Sequence, residues 1–207
     1  EGLGAKAVAI PTDVTDEAQV AHMVTATIEA FGHLDILVNN AGGGGAGRGK
    51  EFPDLTLDDW HEGMDGNLTS MFLVSRAVIP HFLEHGGGRV INIVSPSGMR
   101  GRRGDFMYGI AKAGTVQFTR ALAMETARKG ITVNAVCPGY SDTDIVGDAL
   151  NNIVSKTGRS RDEALSICKE LSIAGACERA FAGATDHENA ERARLGIART
   201  FQIVQPF

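Results

Sequence analysis

Tyr108 and Lys112 stand four residues apart in Tyr-Gly-Ile-Ala-Lys, and Ser95 lies thirteen residues before the tyrosine. That four-residue spacing puts both side chains on one face of a helix. A free phenol titrates near about pH 10. An ammonium held beside it favours the phenolate and brings proton exchange toward neutral pH. A serine hydroxyl delivered from a strand end would hold a substrate oxygen in the same place. The three residue types together suit the interconversion of a carbonyl and an alcohol.

The flanking pattern supplies elements that can position such a set. Residues 5–11 read as a short β-type run. Asp16 caps a helix to about Phe31, with Val20, Met23, Val24 and Ile28 at helical spacing. Residues 34–38 read as a strand buried on both faces, followed by Asn39-Asn40-Ala41-Gly42 and a glycine-rich loop. A long helix is expected over 58–85, a strand over 89–94 ending at Ser95, and a loop over 96–107. A helix then runs from Tyr108 to Lys129, Gly130 stops it, and residues 131–136 form a strand ended by Pro138-Gly139. Strands alternating with helices predict a parallel α/β sheet.

The chain has 207 residues, is 43% hydrophobic and 22% charged, and carries a formal net charge of -5. These values suit one globular domain and give no sign of a nucleic-acid partner. No uninterrupted apolar run reaches the roughly 18 residues of a membrane span. Cys137, Cys168 and Cys177 form no Cys-x-x-Cys pair, which fits a reducing, cytoplasmic setting. The chain opens Glu1-Gly2-Leu3-Gly4, with no signal peptide and no methionine, and reads as a fragment.

In this order the motifs resemble the short-chain dehydrogenase/reductase family. Asp13-Val14 matches the acidic site after the third strand that meets the adenine. Asn39-Asn40-Ala41-Gly42 matches the Asn-Asn-Ala-Gly motif after the fourth strand. Asn67, Ser95, Tyr108 and Lys112 match the catalytic Asn, Ser, Tyr and Lys. Pro138-Gly139 through Thr143 matches the segment that meets the nicotinamide. The resemblance covers residues 1–165 and implies a Rossmann-like, doubly wound parallel sheet with NAD or NADP as cofactor. It implies that Tyr108 exchanges the proton, Lys112 lowers its pKa and holds the ribose, and Ser95 orients the carbonyl. It also implies that Asn67 anchors a water that relays protons to Lys112. Cofactor contacts are implied for Asp13, Val14, Asn39, Ala41, Gly42, Tyr108, Lys112, Pro138, Gly139 and Thr143. The family pairs its Asn and Tyr helices across subunits, and Val74, Val78, Phe118 and Leu122 could serve a dimer or tetramer interface.

Some of the family pattern is not matched. The Gly-rich turn between its first strand and helix, which binds the pyrophosphate, does not occur in these residues. The first two strands and the last strand are not found, so an incomplete sheet is expected. Ser141 stands where the family usually has Ile or Val. Residues 166–207 form an atypical tail, in which the segment from Ala193 to Gln202 resembles a piece of the ATP-binding subunit of branched-chain amino-acid transporters. A gene fusion or frameshift is expected there.

Three look-alikes were weighed. Gly44 to Glu51 nearly spells a phosphate-binding P-loop, but Glu51 stands where Ser or Thr is needed. His81-Phe-Leu-Glu84-His85 spells a zinc-peptidase motif but ends a surface helix, and no metal is expected. Arg100, Arg102 and Arg103 lie in the loop before Tyr108 and read as solvated, or as a bias toward anionic substrates. The sequence therefore predicts an NAD(P)-dependent oxidoreductase of ketones and secondary alcohols, 3-oxoacyl or 3-hydroxyacid compounds leading by analogy. The alternative is an inactive remnant acting as an interaction module.

Overall fold

Parallel strands need crossovers, and the helices here supply them. A computed structural model describes residues 6–45, 47–138 and 144–165. Helix α1 spans Glu17–Phe31, and strand β1 spans Ile36–Asn39. Helix α2 (Leu57–Met64) runs through a π turn (Asp65–Thr69) into α3 (Ser70–Glu84). Strand β2 (Gly88–Ile93), helix α4 (Phe106–Thr126), strand β3 (Ile131–Val136) and helix α5 (Asp144–Thr157) follow. The strands pair in the order β1-β2-β3, all parallel. This is the Rossmann-like α/β arrangement that the motifs imply, with three strands among the described residues.

Local chemistry sets the boundaries. Asp16 accepts from the N–H groups of Ala18 and Gln19 at 2.8 and 3.1 Å, which starts α1. Gly32 ends it in a left-handed conformation at φ 76°. Thr56 and Asp59 form a reciprocal capping box at the start of α2. The helix expected as one run over 58–85 is thus two helices joined by a widened turn, which a 3.6-residue pattern does not reveal.

The core lies between one face of the sheet and α1, α3 and α4. Val20, Val78, Phe82, Val90 and Ile131 are at most 1% exposed there. Burying each such side chain contributes roughly 1.5–3 kcal/mol. Val74 and Val78, 6% and 1% exposed, belong to this core and not to a free helix face, which corrects their assignment to a subunit interface. Leu122 packs against the same cluster.

Two strand expectations are also corrected. Residues 6–11 form no strand, because no strand among the described residues offers them a ladder. Strand β1 is buried on one face only: Ile36 and Val38 are 54% and 52% exposed, since no described helix covers that side. The tail 166–207, with Gln202, lies outside the described residues, as do Gly139, Ser141 and Thr143.

Candidate active site

The site forms where β2 ends. The chain leaves Ile93 through Val94 to Ser95, which caps a short 3₁₀ turn (Pro96–Gly98) by accepting the Ser97 N–H at 3.2 Å. That turn lies directly on α4. A Cβ at Gly98 would come within 2.5 Å of the Lys112 carbonyl carbon, so only glycine allows the approach. Ser95 is thereby carried to Tyr108, near enough for its hydroxyl to act on the phenol. The tyrosine helix starts at Phe106, two residues earlier than expected, and Ser97 Oγ donates to Asp105 at its head at 3.2 Å.

Tyr108 and Lys112 do share a helix face, but their electrostatics differ from the sequence expectation. Burial raises the Tyr108 pKa above the ordinary phenol value; the Ser95 hydroxyl opposes this, Asp105 adds to it and Arg48 opposes it. Lys112 is only 4% exposed, and its Nζ donates to the Ile93 carbonyl at 3.1 Å. Burial holds its pKa below the usual lysine value, with nearby Cys137 pulling the other way. The ammonium lies over the phenol ring, 5.6 Å from its centre. It thus donates to a strand carbonyl, and burial dominates at the phenol, where a lowered pKa was expected.

Asn67 sits in the π turn, 2% exposed. Its Nδ2 donates to the carbonyls of Gly43 and Gly63, each at 3.0 Å. Its Oδ1 is buried and accepts no hydrogen bond among the described residues. Gly42 lies against it with φ 143°, and a Cβ there would stand 2.6 Å from that oxygen. Asn67, Gly42 and the glycine loop are therefore one packed unit.

The other expected cofactor residues divide. Val14, Asn40 and Ala41 line a cleft of about 170 Å³ with Ser70 and Met71 of α3, beside the end of β1. Asp13, next to Val14 in the chain, is exposed, its Oδ1 accepting from the Thr15 N–H and hydroxyl at 2.9 and 2.7 Å. Those bonds hold its carboxyl below the usual range, the Thr15 hydroxyl bond first. Pro138 follows buried Cys137 and is half-buried. Asn39 lines the same cleft, and its side-chain amide turns inward, donating to Asn92 Oδ1 at 2.8 Å and to Ser75 Oγ at 3.1 Å.

That inward turn exposes residues that motif reading passed over. Asn92 is the register partner of Asn39 on β2, and it donates to Thr119 Oγ1 at 2.9 Å. Thr119 donates to the Thr115 carbonyl, and Thr115 to the Lys112 carbonyl, each at 2.8 Å. A buried chain of hydrogen bonds thus ties the Asn39 strand end to the helix turn that holds Lys112. An Asn in mid-strand was the available signal. The P-loop look-alike is excluded by geometry: Lys50 is bonded to both Asp59 oxygens at 3.0 and 2.8 Å. Arg103 pairs with Glu51 at 2.6 Å.

Comparison with known proteins accords with this geometry. Residues 1–154 match the short chain dehydrogenase family. The 3-oxoacyl-(acyl-carrier-protein) reductase of Synechocystis sp. is 40% identical over 142 residues, which cover 69% of this chain and 56% of that protein. A crystal structure of an actinorhodin polyketide ketoreductase with NADPH superimposes with a TM-score of 0.67 at 37% identity, covering 74% of this chain and 58% of that one. A 7α-hydroxysteroid dehydrogenase complexed with NADH and 7-oxo glycochenodeoxycholic acid gives 0.67 at 33% identity, covering 71% and 56%. The chain spans little more than half the length of these relatives. A match over residues 1–154, with Tyr108 and a buried Lys112 on one helix face, means that the chain belongs to the short-chain dehydrogenase/reductase family.

Proposed function

We propose that this protein interconverts a ketone and a secondary alcohol with NAD(H) or NADP(H), a 3-oxoacyl compound being the leading substrate. The observation that carries the reading is Tyr108 beside the Ser95 hydroxyl, with buried Lys112 over its ring at 5.6 Å. The residues fit part of a dinucleotide: Val14, Asn39, Asn40 and Ala41 border a cleft beside the end of β1. In this reading Asp13, Val14, Asn39, Ala41 and Gly42 hold its adenosine half, and Lys112, Tyr108, Pro138, Gly139 and Thr143 its nicotinamide half. A bound nicotinamide supplies the hydride.

The protein's own residues handle the oxygen. Tyr108, kept protonated at neutral pH by its raised pKa, gives a proton to the carbonyl oxygen during reduction. Ser95 donates a hydrogen bond to the same oxygen and fixes its position. Asn67 anchors a water that relays protons toward Lys112, a role supported by its unpartnered Oδ1. The setting is cytoplasmic, and no described helix is long and apolar enough to cross a membrane.

The same reading includes a homodimer along α3 and α4, where an open groove of about 440 Å³ is lined by Leu68, Phe72, Gly114 and Phe118. A second reading, a binding module without turnover, draws on the exposed Ile36 and Val38 of β1. NADPH fluorescence titration and turnover of a 3-oxoacyl thioester by wild type and Tyr108→Phe separate them. The enzyme reading expects saturable binding in both and a kcat at least about 100-fold lower in the variant. Near-normal turnover in the variant ends the proton-donor assignment.

A further inference from the structure

We propose that His33, His81 and His85 form a binding site for one divalent transition-metal ion of the zinc class, clamping the end of α1 to the end of α3. One ligand nitrogen from each of the three lies within 4.8 Å of the others. His33 follows the Gly32 cap of α1, His81 lies in the last turn of α3, and His85 caps that helix. The site precedes the start of β1, whereas Ser95 and Tyr108 lie beyond the end of β2. It is therefore separate from the candidate active site.

The hydrogen bonds around the rings prepare the ligands. Asp35 Oδ1 is 2.9 Å from His33 Nε2, and a proton on that nitrogen leaves Nδ1 with a lone pair. His85 Nδ1 is 2.8 Å from the His81 carbonyl, and donation to it leaves Nε2 with a lone pair. A carboxylate or backbone carbonyl behind a histidine is the arrangement that orients metal-binding imidazoles. His81 is the costlier ligand, because its Nε2 accepts the Leu34 N–H at 3.2 Å, and a metal takes this ring in exchange for that bond. Burial and the two neighbouring imidazoles hold His81 below the ordinary histidine pKa, so it is neutral.

Geometry and charge both permit the ion. Zinc–nitrogen bonds of about 2.0–2.1 Å in a tetrahedral site place donors about 3.4 Å apart. Ligand nitrogens now up to 4.8 Å apart must close by as much as about 1.4 Å, a rotation open to the exposed His33 and His85. The carbonyl end of α3 also favours a cation. An all-imidazole donor set selects Zn²⁺, Ni²⁺ or Cu²⁺ over Mg²⁺ or Ca²⁺.

Calorimetric titration with Zn²⁺ tests the site in wild type, His33→Ala, His85→Ala and Asp35→Asn, with circular dichroism to verify folding. The expected result is one ion per chain, no response to Mg²⁺, and affinity at least about tenfold weaker in each variant. Faster exchange of the Leu34 amide on Zn²⁺ addition is expected as well. No Zn²⁺ binding by wild type, or unchanged affinity in a His33→Ala/His85→Ala double variant, overturns the proposal.

Discussion

The Nζ of Lys112 stands 5.6 Å from the centre of the Tyr108 ring and donates to the Ile93 carbonyl, not to the phenol oxygen. The hydroxyl that governs the phenol is that of Ser95, the foremost group lowering a pKa that burial has raised.

Ser95 is therefore expected to tune the tyrosine in addition to the substrate contact proposed for it. Tyr140 is the second of two tyrosines, so a Tyr140→Phe background isolates Tyr108. Phenolate absorbance should then titrate above the ordinary 10.0, and Ser95→Ala should move the midpoint higher still. A midpoint that falls in Ser95→Ala contradicts the assignment.

Gly42 and Asn67 should be energetically coupled. Gly42→Ala forces a methyl to within 2.6 Å of Asn67 Oδ1 at a φ that L-residues avoid. The expected cost is about 1–3 kcal/mol in urea unfolding. Asn67→Ala alone removes two buried hydrogen bonds, yet in the double variant the clash is gone, so the two costs should sum to more than the combined effect. Strict additivity would mean that the contact is relieved by backbone movement.

Asp59 predicts an acid-dependent stability. Its pKa is lowered from 3.8 to about 2, first by the Lys50 hydrogen bond and then by the Thr56 backbone. A carboxyl with a depressed folded pKa stabilises above its unfolded value, and that contribution is lost as pH falls through the folded one. Asp59→Asn should thus be less stable than wild type at pH 7. The gap should close between pH 3.8 and about 2. Thermal denaturation of both proteins across that range measures it, and a gap independent of pH would assign the role to hydrogen bonding alone.

The α3–α4 groove makes an assembly prediction. Phe72 is 45% exposed beside Leu68 and Phe118. Phe72→Asp should convert a dimer to a monomer in sedimentation equilibrium, with the fold retained because the side chain is not in the core. Val78→Asp, by contrast, should unfold the protein, since Val78 is 1% exposed. A wild-type monomer removes the dimer from the reading.

What could be read in the sequence was the part set by local chemistry. Residues 131–136 were expected as a strand and form Ile131–Val136, because a β-branched alternating run bounded by Gly130 and Pro138 has one good backbone solution. Asp16 and Gly32 likewise announce both ends of α1. Residues 6–11 have similar composition but form no strand, because pairing needs a neighbour that composition does not provide. Spacing put Tyr108 and Lys112 on one face, but the acceptor that takes the ammonium belongs to a strand nineteen residues away. His33 is forty-eight residues from His81, and the fold alone brings them together.

The π turn at Asp65–Thr69 joins two helices that serve different masters. An α-helix advances about 100° per residue, so one inserted residue rotates everything after it relative to everything before. Here that rotation lets Asn67 look toward Gly42 while Met71, Val74, Val78 and Phe82 keep facing the core. The phase of Asn67 is thereby uncoupled from the phase of the hydrophobic stripe. Loss of a single residue from this turn would leave both helices intact and still make them incompatible, so the chain's tolerance for length change is lowest where its backbone is least regular.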